Sequence, residues 1–337
     1  MKKIACAALA LLMLLSLTAC GKTEEPVRQE LFAMDTYMSL AAYGDGAREA
    51  LTAAAREINR LEQELSRTVS ASDVGRLNDS GSAVVSEETA ALLQRAAEYS
   101  EKTGGLFDMT VAPLVSLWGI TTDSPRVPAE SEIDALLPLV GSEHVHIEGT
   151  AVSLDDGCAI DLGGIAKGYA SDRVAEILRE YAVTGAAVSL GGNVYVCGHK
   201  PDGSAWNVAV QDPKDAGDYA ATLELTDVFA VTSGGYQRYY TAEDGTVYQH
   251  ILDPRTGRPA VTDLLSVTVI ARSGTMADAY STALYVMGEQ AACDFWRQSG
   301  EFELVLITAD GRVLYTPGLA GQITQKGASY DFQEVSA

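Results

Sequence analysis

"SGTMADAYSTALYVMG", residues 273–288, is bracketed by glycines and is apolar on nearly all sides. A surface helix carries one apolar stripe, so a helix that is apolar all round is predicted to lie buried, with other elements packed around it. Asp278 and Thr282 are the exception, because their spacing places a carboxylate and a hydroxyl on one face, one turn apart. Two interpretations are open at this point: a polar surface stripe or cap, or two oxygen ligands for a hard cation such as Mg²⁺.

Helices and strands follow one another irregularly around this segment. Amphipathic periodicity predicts helices over about 47–65, 86–104, 166–181 and 289–298. Strands, most of them joined as hairpins, are predicted near 144–161, 186–197, 205–211, 221–232, 247–252, 265–271 and 302–315. Since no regular βαβ rhythm occurs, the sequence predicts an α+β fold with mixed or antiparallel sheets and flanking helices.

The first 19 residues are predicted to be an export signal rather than part of the fold. Three residues, Met1-Lys2-Lys3, form a short basic segment, residues 4–17 are continuously apolar, and small residues precede Cys20. This apolar run is too short for a stable membrane span. The sequence L-T-A-C-G has the form of a bacterial lipobox, in which Cys20 becomes the lipidated first residue; the alternative is an ordinary signal with an incidental cysteine.

This signal sets the predicted domain organisation. We expect residues 20–30 to be a polar tether after lipidated Cys20, residues 31–325 to form one folded domain, and residues 326–337 to be a C-terminal tail. The protein is then expected on the extracytoplasmic side of a bacterial cell membrane, held there by its lipid anchor.

Composition limits the partners. The 337 residues include 24 Lys and Arg against 46 Asp and Glu, a formal net charge of −22, so nucleic acid and bare anionic membrane are not expected ligands. An anionic substrate would need local neutralisation by a metal ion, a lysine or a helix N-terminus. Cys158, Cys197 and Cys293 are widely spaced and lack a C-x-x-C pattern, so they are predicted to be small buried hydrophobic residues.

"AIDLGGIAKGYASDRVAEIL", residues 159–178, predicts a strand that ends at Asp161, a turn at Gly163-Gly164 and a helix with Lys167 in its first turns. Glycines there would allow backbone conformations that other residues avoid, and exposed amides, a helix dipole and a lysine suit an anionic group. Neither the dinucleotide fingerprint nor a P-loop is present. The residues alone support an anion site and an ordinary tight turn equally.

A histidine follows two further glycine-rich turns, "SLGGN" (189–193) and "VTSGGYQRYY" (231–240), each of which ends a β-rich run. His250 lies in the polar stretch "YQHILDPRTGRPA" (248–260) and is predicted to act as a proton acceptor. His144 and His146 alternate on one predicted strand and are expected to point outward.

Seven motifs occur in a fixed order: AMDT (33–36), SASDVGRLN (70–78), TGGLFDMTVAPLVSLWG (103–119), IDLGGIAKGYASD (160–172), SLGGNVYVCG (189–198), HILDPRTGRP (250–259) and MADAYSTAL (276–284). From residue 31 to about 315 the chain resembles the ApbE family of FAD:protein FMN transferases. The resemblance implies an ApbE-like fold with its active site between two lobes, FAD as substrate and Mg²⁺ as cofactor. It also implies transfer of FMN, with release of AMP, to a Thr or Ser in an exposed motif of an exported or membrane redox protein.

The resemblance assigns roles to individual residues. Asp278, Thr282, the adjacent Ser281 and the carbonyl of Gly164 are implied as metal ligands. Contacts to FAD are implied for Met34, Leu106, Phe107, Asp108, Asp161, Lys167 and Ile251. The chain departs from the family at "LSRT", where Thr68 stands in the place of an aromatic residue, which leaves stacking to Tyr37, Tyr236 or Tyr239.

The implied mechanism is phosphoryl-group transfer. Mg²⁺ would bridge the FAD diphosphate, the glycine turn and Lys167 would hold the remaining charge, and His250 would take the proton of the attacking hydroxyl. Two other functions stay open: an Mg²⁺-dependent FAD pyrophosphatase that uses water and yields FMN and AMP, and a flavin-binding lipoprotein without catalysis.

Overall fold

A computed structural model describes residues 25–326 and 330–336. The predicted signal, residues 1–19, and the predicted lipidation site Cys20 lie outside the described residues. Eight α-helices are present within the described ranges: α1 (Ala47–Leu65), α2 (Asp73–Ser80), α3 (Glu87–Lys102), α4 (Ala112–Trp118), α5 (Glu130–Leu136), α6 (Ala166–Glu180), α7 (Gly274–Met287) and α8 (Glu289–Ser299). None of these described helices is long and apolar enough to cross a bilayer.

The strands of the described residues are β1 (Val27–Ala33), β2 (Thr36–Tyr43), β3 (Ser82–Val84), β4 (Val145–Glu148), β5 (Ala151–Leu154), β6 (Gly185–Leu190), β7 (Asn193–Gly198), β8 (Trp206–Asp212), β9 (Asp215–Leu225), β10 (Val228–Gly234), β11 (Tyr239–Thr241), β12 (Val247–Gln249), β13 (Leu252–Asp253), β14 (Arg258–Pro259), β15 (Leu264–Ala271), β16 (Glu303–Thr308), β17 (Arg312–Tyr315), β18 (Ile323–Gln325) and β19 (Asp331–Glu334). Nine of them form one sheet in the order β1-β2-β6-β7-β10-β15-β16-β17-β19. Its pairs are antiparallel except β17–β19, which is parallel. The predicted α+β class is confirmed.

The central sheet is apolar on both faces, because successive side chains of a strand point to opposite sides. In β16, Leu304 and Leu306 belong to the large core beneath the helices, whereas Val305 and Ile307 belong to a second core on the other face. Helices α1, α6 and α7 pack on the first face, and a three-stranded sheet of β18, β9 and β8 covers the second. The chain therefore forms three layers around one central sheet.

Helix α7 is the buried helix that the sequence predicts. It packs against β10, β15, α6 and α8. A Cβ atom added to Gly168 of α6 would lie 2.2 Å from the carbonyl oxygen of Gly274, so only glycine permits this close crossing of α6 and α7. The crossing places the first turns of α6 directly beside Asp278.

A small separate core holds the segment that carries His250. Leu114, Trp118 and Ile133 of α4 and α5 pack against Leu252. The Trp118 indole N–H also donates a hydrogen bond of 2.8 Å to the carbonyl of Gly257. Residues 250–259 are thereby fixed against these two helices, beside the helix layer of the main core.

Both predicted ends of the folded domain are wrong. Val27–Glu30, placed in the tether, already belong to β1 and pair with β2, and Asp331–Glu334, placed in the tail, form β19 on the sheet edge. Edge strands bury only one face, so their polar exposed residues resemble a linker in the sequence. The prediction for Cys158, Cys197 and Cys293 is confirmed, since all three are buried free thiols.

Candidate active site

Asp278 lies at the crossing of α6 and α7. It is 4% exposed, and its Oδ2 accepts a hydrogen bond of 2.8 Å from the backbone N–H of Gly168. Oδ1 has no hydrogen-bond partner among the described residues. The N-cap of α7 is Ser273, whose hydroxyl accepts from the N–H of Met276, so Asp278 is neither a cap nor part of a surface stripe. Since burying a carboxylate is costly without compensation, a carboxylate at this position favours an electropositive partner at Oδ1.

Gly164 and Thr282 face each other across the same cleft. A Cβ atom added to Gly164 would lie 3.7 Å from Thr282 Oγ1 and 3.3 Å from Cε2 of Phe107. The implied ligand positions Gly164, Asp278 and Thr282 therefore come together, and they present carbonyl, carboxylate and hydroxyl oxygens. The described residues contain no cluster of three or more His, Cys, Asp or Glu suited to a metal ion.

Ser281 differs from its neighbour Thr282. It is fully buried, its Oγ lies 2.8 Å from the Oγ of Ser233 on β10, and it donates a hydrogen bond of 3.0 Å to the carbonyl of Asp278. Its hydroxyl is therefore already engaged by the protein. Thr282 Oγ1 makes the same two contacts at greater distance, 3.3 Å to the carbonyl of Asp278 and 3.4 Å to Ser233 Oγ, and its residue is half-buried. The longer contacts and the lower burial favour Thr282 over Ser281 as the hydroxyl ligand.

The backbone conformation of the turn at Gly163-Gly164 differs from the prediction. Neither glycine has a positive φ, so the expectation of a conformation that other residues avoid is wrong. Close contacts favour glycine there, because a Cβ atom on Gly163 would lie 3.0 Å from Oδ1 of Asp161, and this carboxylate would have to move to accommodate it. The strand expected to end at Asp161 is also absent: β5 ends at Leu154, and the chain then turns, with the N–H of Cys158 bonded to the carbonyl of Asp155.

Two cationic side chains flank this turn. Lys167 Nζ donates a hydrogen bond of 3.1 Å to the carbonyl of Gly163. On the other side, Asp161 accepts from the Gly163 N–H through Oδ1 at 2.7 Å, while its Oδ2 pairs with Arg67 Nε at 2.8 Å. Arg67 was not predicted as a site residue, although it stands in the "LSRT" segment that departs from the family. The turn thus places a lysine and an arginine beside one carboxylate, an excess of one positive charge that favours a phosphate group.

His250 is held by Arg238. Its backbone N–H and its Nδ1 both lie 3.1 Å from the carbonyl oxygen of Arg238. A carbonyl only accepts, so Nδ1 carries the proton and Nε2, which has no hydrogen-bond partner among the described residues, is the basic nitrogen. Burial lowers the pKa of His250 to about 4, and the nearby charges of Lys167 and Arg238 act in the same direction. The imidazole is therefore neutral at neutral pH and able to accept a proton.

His144 and His146 lie outside the candidate site and share one carboxylate partner. His144 Nδ1 lies 2.9 Å from one carboxylate oxygen of Asp155, and His146 Nε2 lies 2.7 Å from the other. Hydrogen bonding to Asp155 is the main cause that raises the pKa of His144. This cluster is on the surface, as the sequence predicts for the two histidines.

Met34 occupies a strained turn between β1 and β2. Met34 and Asp35 have φ values of 49° and 56°, a conformation for which glycine or asparagine is favoured in two-residue hairpins. Such strain costs on the order of 1–3 kcal/mol per residue and persists only where surrounding contacts impose it. Here the Met34 N–H donates to Glu62 Oε1 at 2.7 Å, and the Arg238 guanidinium binds both the carboxylate and the carbonyl of Asp35.

The remaining residues implied as FAD contacts differ in whether their side chains are free to contact a ligand. Phe107 lies beside Gly164, and Leu106 is half-buried next to it. Asp108 caps the short 3₁₀ helix Met109–Val111 and accepts from Ser100 Oγ and from the N–H of Thr110, both at 2.8 Å, so its side chain is committed to the fold. Ile251 is 7% exposed and its carbonyl accepts from the N–H of Ala260 at 2.9 Å.

The chain is similar to known proteins in sequence and fold. The chain fits the profile of the ApbE family over residues 34–306. The protein belongs to the ApbE family. It is 32% identical over 332 residues to the FAD:protein FMN transferase of Treponema pallidum, which covers 90% of this chain and 91% of that protein.

Solved ApbE structures share the fold. The crystal structure of the Thermotoga maritima ApbE protein superposes with a TM-score of 0.82 at 32% identity, covering 88% of this chain and 99% of that chain. The apo form of the flavinyl transferase ApbE from Pseudomonas stutzeri superposes with a TM-score of 0.76 at 30% identity, covering 85% and 92%.

Exposed aromatic rings surround the strained turn of this ApbE protein. Tyr37 is 58% exposed and pairs across β1–β2 with Phe32, which is 70% exposed, while Tyr239 beside Arg238 is 56% exposed. Tyr236 is half-buried, and burial raises the pKa of its phenol. Tyr37 and Tyr239 are therefore the rings available to replace the aromatic residue missing at Thr68.

Proposed function

We propose that this ApbE protein is an FAD:protein FMN transferase. Its relatives from Treponema pallidum and Pseudomonas stutzeri are named for flavin transfer, and its chain aligns with each along most of its length. The observation that carries the proposal is His250: a neutral imidazole with a defined basic nitrogen, electrostatically coupled to the lysine of the glycine turn. Binding a flavin needs no such base, whereas transfer to a hydroxyl does.

The donor oxygens at the α6–α7 crossing fit Mg²⁺. Asp278, Thr282 and the Gly164 carbonyl form a sparse set of hard ligands, and Mg²⁺ commonly binds through one or two carboxylates together with substrate phosphate and water. The free Oδ1 of Asp278 is the specific support for this assignment. When bound there, Mg²⁺ would neutralise charge on the FAD diphosphate and on the departing phosphate.

The protein residues would then act as follows. Lys167 and Arg67 hold the diphosphate at the glycine turn, and His250 Nε2 accepts the proton of a Thr or Ser hydroxyl on the target protein. The hydroxyl oxygen forms a bond to the phosphorus of the FMN half, the bond from that phosphorus to the bridging oxygen breaks, and AMP leaves with that oxygen. The product is FMN in phosphoester linkage to the target.

The target and the location are also part of the proposal. We infer an exported or membrane redox protein with an exposed Thr or Ser motif as acceptor, and a lipid anchor at Cys20 that holds the enzyme at the extracytoplasmic face of the membrane. The lipobox sequence and the predicted signal support this location.

One assay separates the three candidate functions. Purified protein is incubated with FAD and Mg²⁺, with or without an acceptor domain that carries a suitable threonine, and AMP and denaturation-resistant flavin are measured. A transferase releases AMP slowly alone and faster with the acceptor, because water lacks the positioning that a bound loop provides. Rapid AMP release without covalent flavin would identify a pyrophosphatase, and FAD binding without AMP release a carrier.

His250→Ala tests the base in the same assay. Transfer is expected to fall by about 10²- to 10⁴-fold while FAD binding changes little. His199→Ala, an exposed histidine outside the site, is the matched control. Equal activity of the two variants would exclude His250 as the base.

A further inference from the structure

A cavity that shares no residue with the candidate active site lies along the C-terminal half of α6. It has a volume of about 810 Å³ and is bounded by α6, by β7 and by the start of β10. This volume is within the range of about 300–1,000 Å³ typical of small-molecule sites.

The cavity concentrates positive charge in an acidic protein. Arg95, Arg179 and Arg272 line it, and among the described residues none of the three forms an ion pair with a carboxylate. All three are exposed at the mouth of the cavity, so a phosphate group can reach them without displacing a carboxylate partner. Arg173 also lines the cavity but is already bound to Glu57 and Glu176.

The acidic residues of the cavity are already engaged. Asp172 accepts hydrogen bonds from the N–H groups of Gly274, at 2.7 Å, and Thr275, at 2.9 Å, at the start of α7. Glu176 pairs with Arg173. Asp227 accepts from the Gly198 N–H at 2.9 Å. The four arginines of the cavity exceed its three carboxylates, Asp172, Glu176 and Asp227, by one positive charge. The cavity therefore keeps an excess of positive charge.

Aromatic residues form another part of its wall. Tyr169 is half-buried in the wall, with its hydroxyl bonded to Glu88. The rings of Tyr195 and Phe229 stack on each other with centroids 4.4 Å apart and form the buried floor, being 6% and 4% exposed. Guanidinium groups bind phosphate through paired N–H donors, and aromatic walls accommodate the ring part of a ligand.

We propose that this cavity binds a phosphate monoester that carries a ring system, of the size of a mononucleotide. AMP and FMN both present this chemistry. The inference does not depend on the proposed transferase activity, because none of the three arginines belongs to the candidate active site.

The test compares two charge-matched variants of the full protein. The cavity variant is Arg95→Gln/Arg179→Gln/Arg272→Gln. The control variant is Arg28→Gln/Arg48→Gln/Arg56→Gln, which removes three exposed arginines that do not line the cavity. Binding of AMP and FMN is measured by equilibrium dialysis at low ionic strength, with adenosine and riboflavin as ligands without phosphate, and thermal unfolding verifies that both variants are folded.

We expect the cavity variant to bind AMP or FMN at least about tenfold more weakly at one site, since each lost charged hydrogen bond costs at least that factor. The control variant and Asp278→Ala should retain this site. Tighter binding of AMP than of FMN, or the reverse, identifies which ring system the cavity accepts. Equal binding by the cavity and control variants, equal affinity for the unphosphorylated ligands, or no binding of either phosphate would overturn the proposal. Flavin transfer is assayed separately, so its absence would contradict only the proposed function.

Discussion

The carbonyl oxygen of Arg238 accepts two hydrogen bonds from His250, one from the backbone N–H and one from Nδ1–H, both at 3.1 Å. The side chain of the same arginine binds Asp35 in the strained turn that carries Met34. One residue thus fixes the tautomer of the base and connects it to a turn implied in FAD binding. Through Arg238, the base and this part of the substrate site keep a fixed relative position.

Replacing Arg238 by Gln should separate these two roles. The backbone carbonyl remains, so His250 keeps its tautomer, while the strained turn loses its main side-chain contact. We expect KM for FAD to rise by about tenfold or more, since charged hydrogen bonds are lost, with a smaller change in kcat. Steady-state kinetics measure both values. Arg255→Gln, whose guanidinium binds Asp253 outside the site, is the control; a loss confined to kcat would contradict this role of Arg238.

The low pKa of His250 predicts a specific pH response. Burial is the main cause, and the positive charge of Lys167 contributes, so Lys167→Met should raise the pKa of His250 above about 4. Imidazole titration followed by NMR measures the shift. Lys102→Met, on the exposed end of α3, should leave it unchanged. A His250 pKa that does not rise in Lys167→Met would show that the two groups are not coupled.

The same pKa affects stability. In the unfolded chain His250 has an ordinary pKa near 6.5, so between that value and about 4 the unfolded state binds more protons than the folded state. This residue therefore lowers the free energy of unfolding as the pH falls from 6.5 towards 4. Denaturant titrations at several pH values should show a smaller slope for His250→Ala than for the unchanged protein in this window.

The α6–α7 crossing can be tested through Gly168. Its backbone is so close to Gly274 that Gly168→Ala should destabilise the protein by about 1–3 kcal/mol, as overpacking does elsewhere. Gly217→Ala is the control, because the nearest atom to the added Cβ lies 3.4 Å away. Urea unfolding measures both. Equal free energies of unfolding for Gly168→Ala and Gly217→Ala would contradict a tight contact between α6 and α7.

Local patterns predicted much of this molecule. The periodicity of α1 and α6 and the all-round apolar surface of α7 depend only on residues that are close in sequence. They can therefore be recognised from the sequence alone. The ordered motifs likewise predicted the family and located Asp278, Thr282, Gly164 and His250.

Contacts between distant residues were not predictable in this way. Asp35 and Arg238 are 203 positions apart, and no local signal pairs them. Arg67 was overlooked for the same reason, because its partner Asp161 is brought near only by the fold. Residues Val27–Glu30 of β1 and the whole of β19 were missed, because each strand lies at a sheet edge with one polar face.

The predicted anchor can be tested independently of the active site. Cys20→Ala should release or mislocalise the protein while the folded domain keeps its activity, since lipid would be attached only through this thiol. Cell fractionation and the flavin-transfer assay give the two readouts. Cys158→Ala, a buried free thiol, should leave the location unchanged. If Cys20→Ala is processed and binds the membrane as the unchanged protein does, the lipoprotein interpretation is excluded.

The proposed metal site gives the most discriminating series of variants. Asp278→Ala removes the only carboxylate of the proposed set and should abolish Mg²⁺-dependent turnover. Thr282→Ala should shift the Mg²⁺ requirement upward but leave activity, because water replaces a neutral hydroxyl more readily than a carboxylate. Ser281→Ala should leave the Mg²⁺ response nearly unchanged, because its hydroxyl is fully buried and lies closer than that of Thr282 to Ser233 and to the carbonyl of Asp278. Mg²⁺ titrations of AMP release measure all three. A larger Mg²⁺ shift in Ser281→Ala than in Thr282→Ala would reverse the assignment, and activity of Asp278→Ala that is independent of Mg²⁺ would remove this carboxylate from the site.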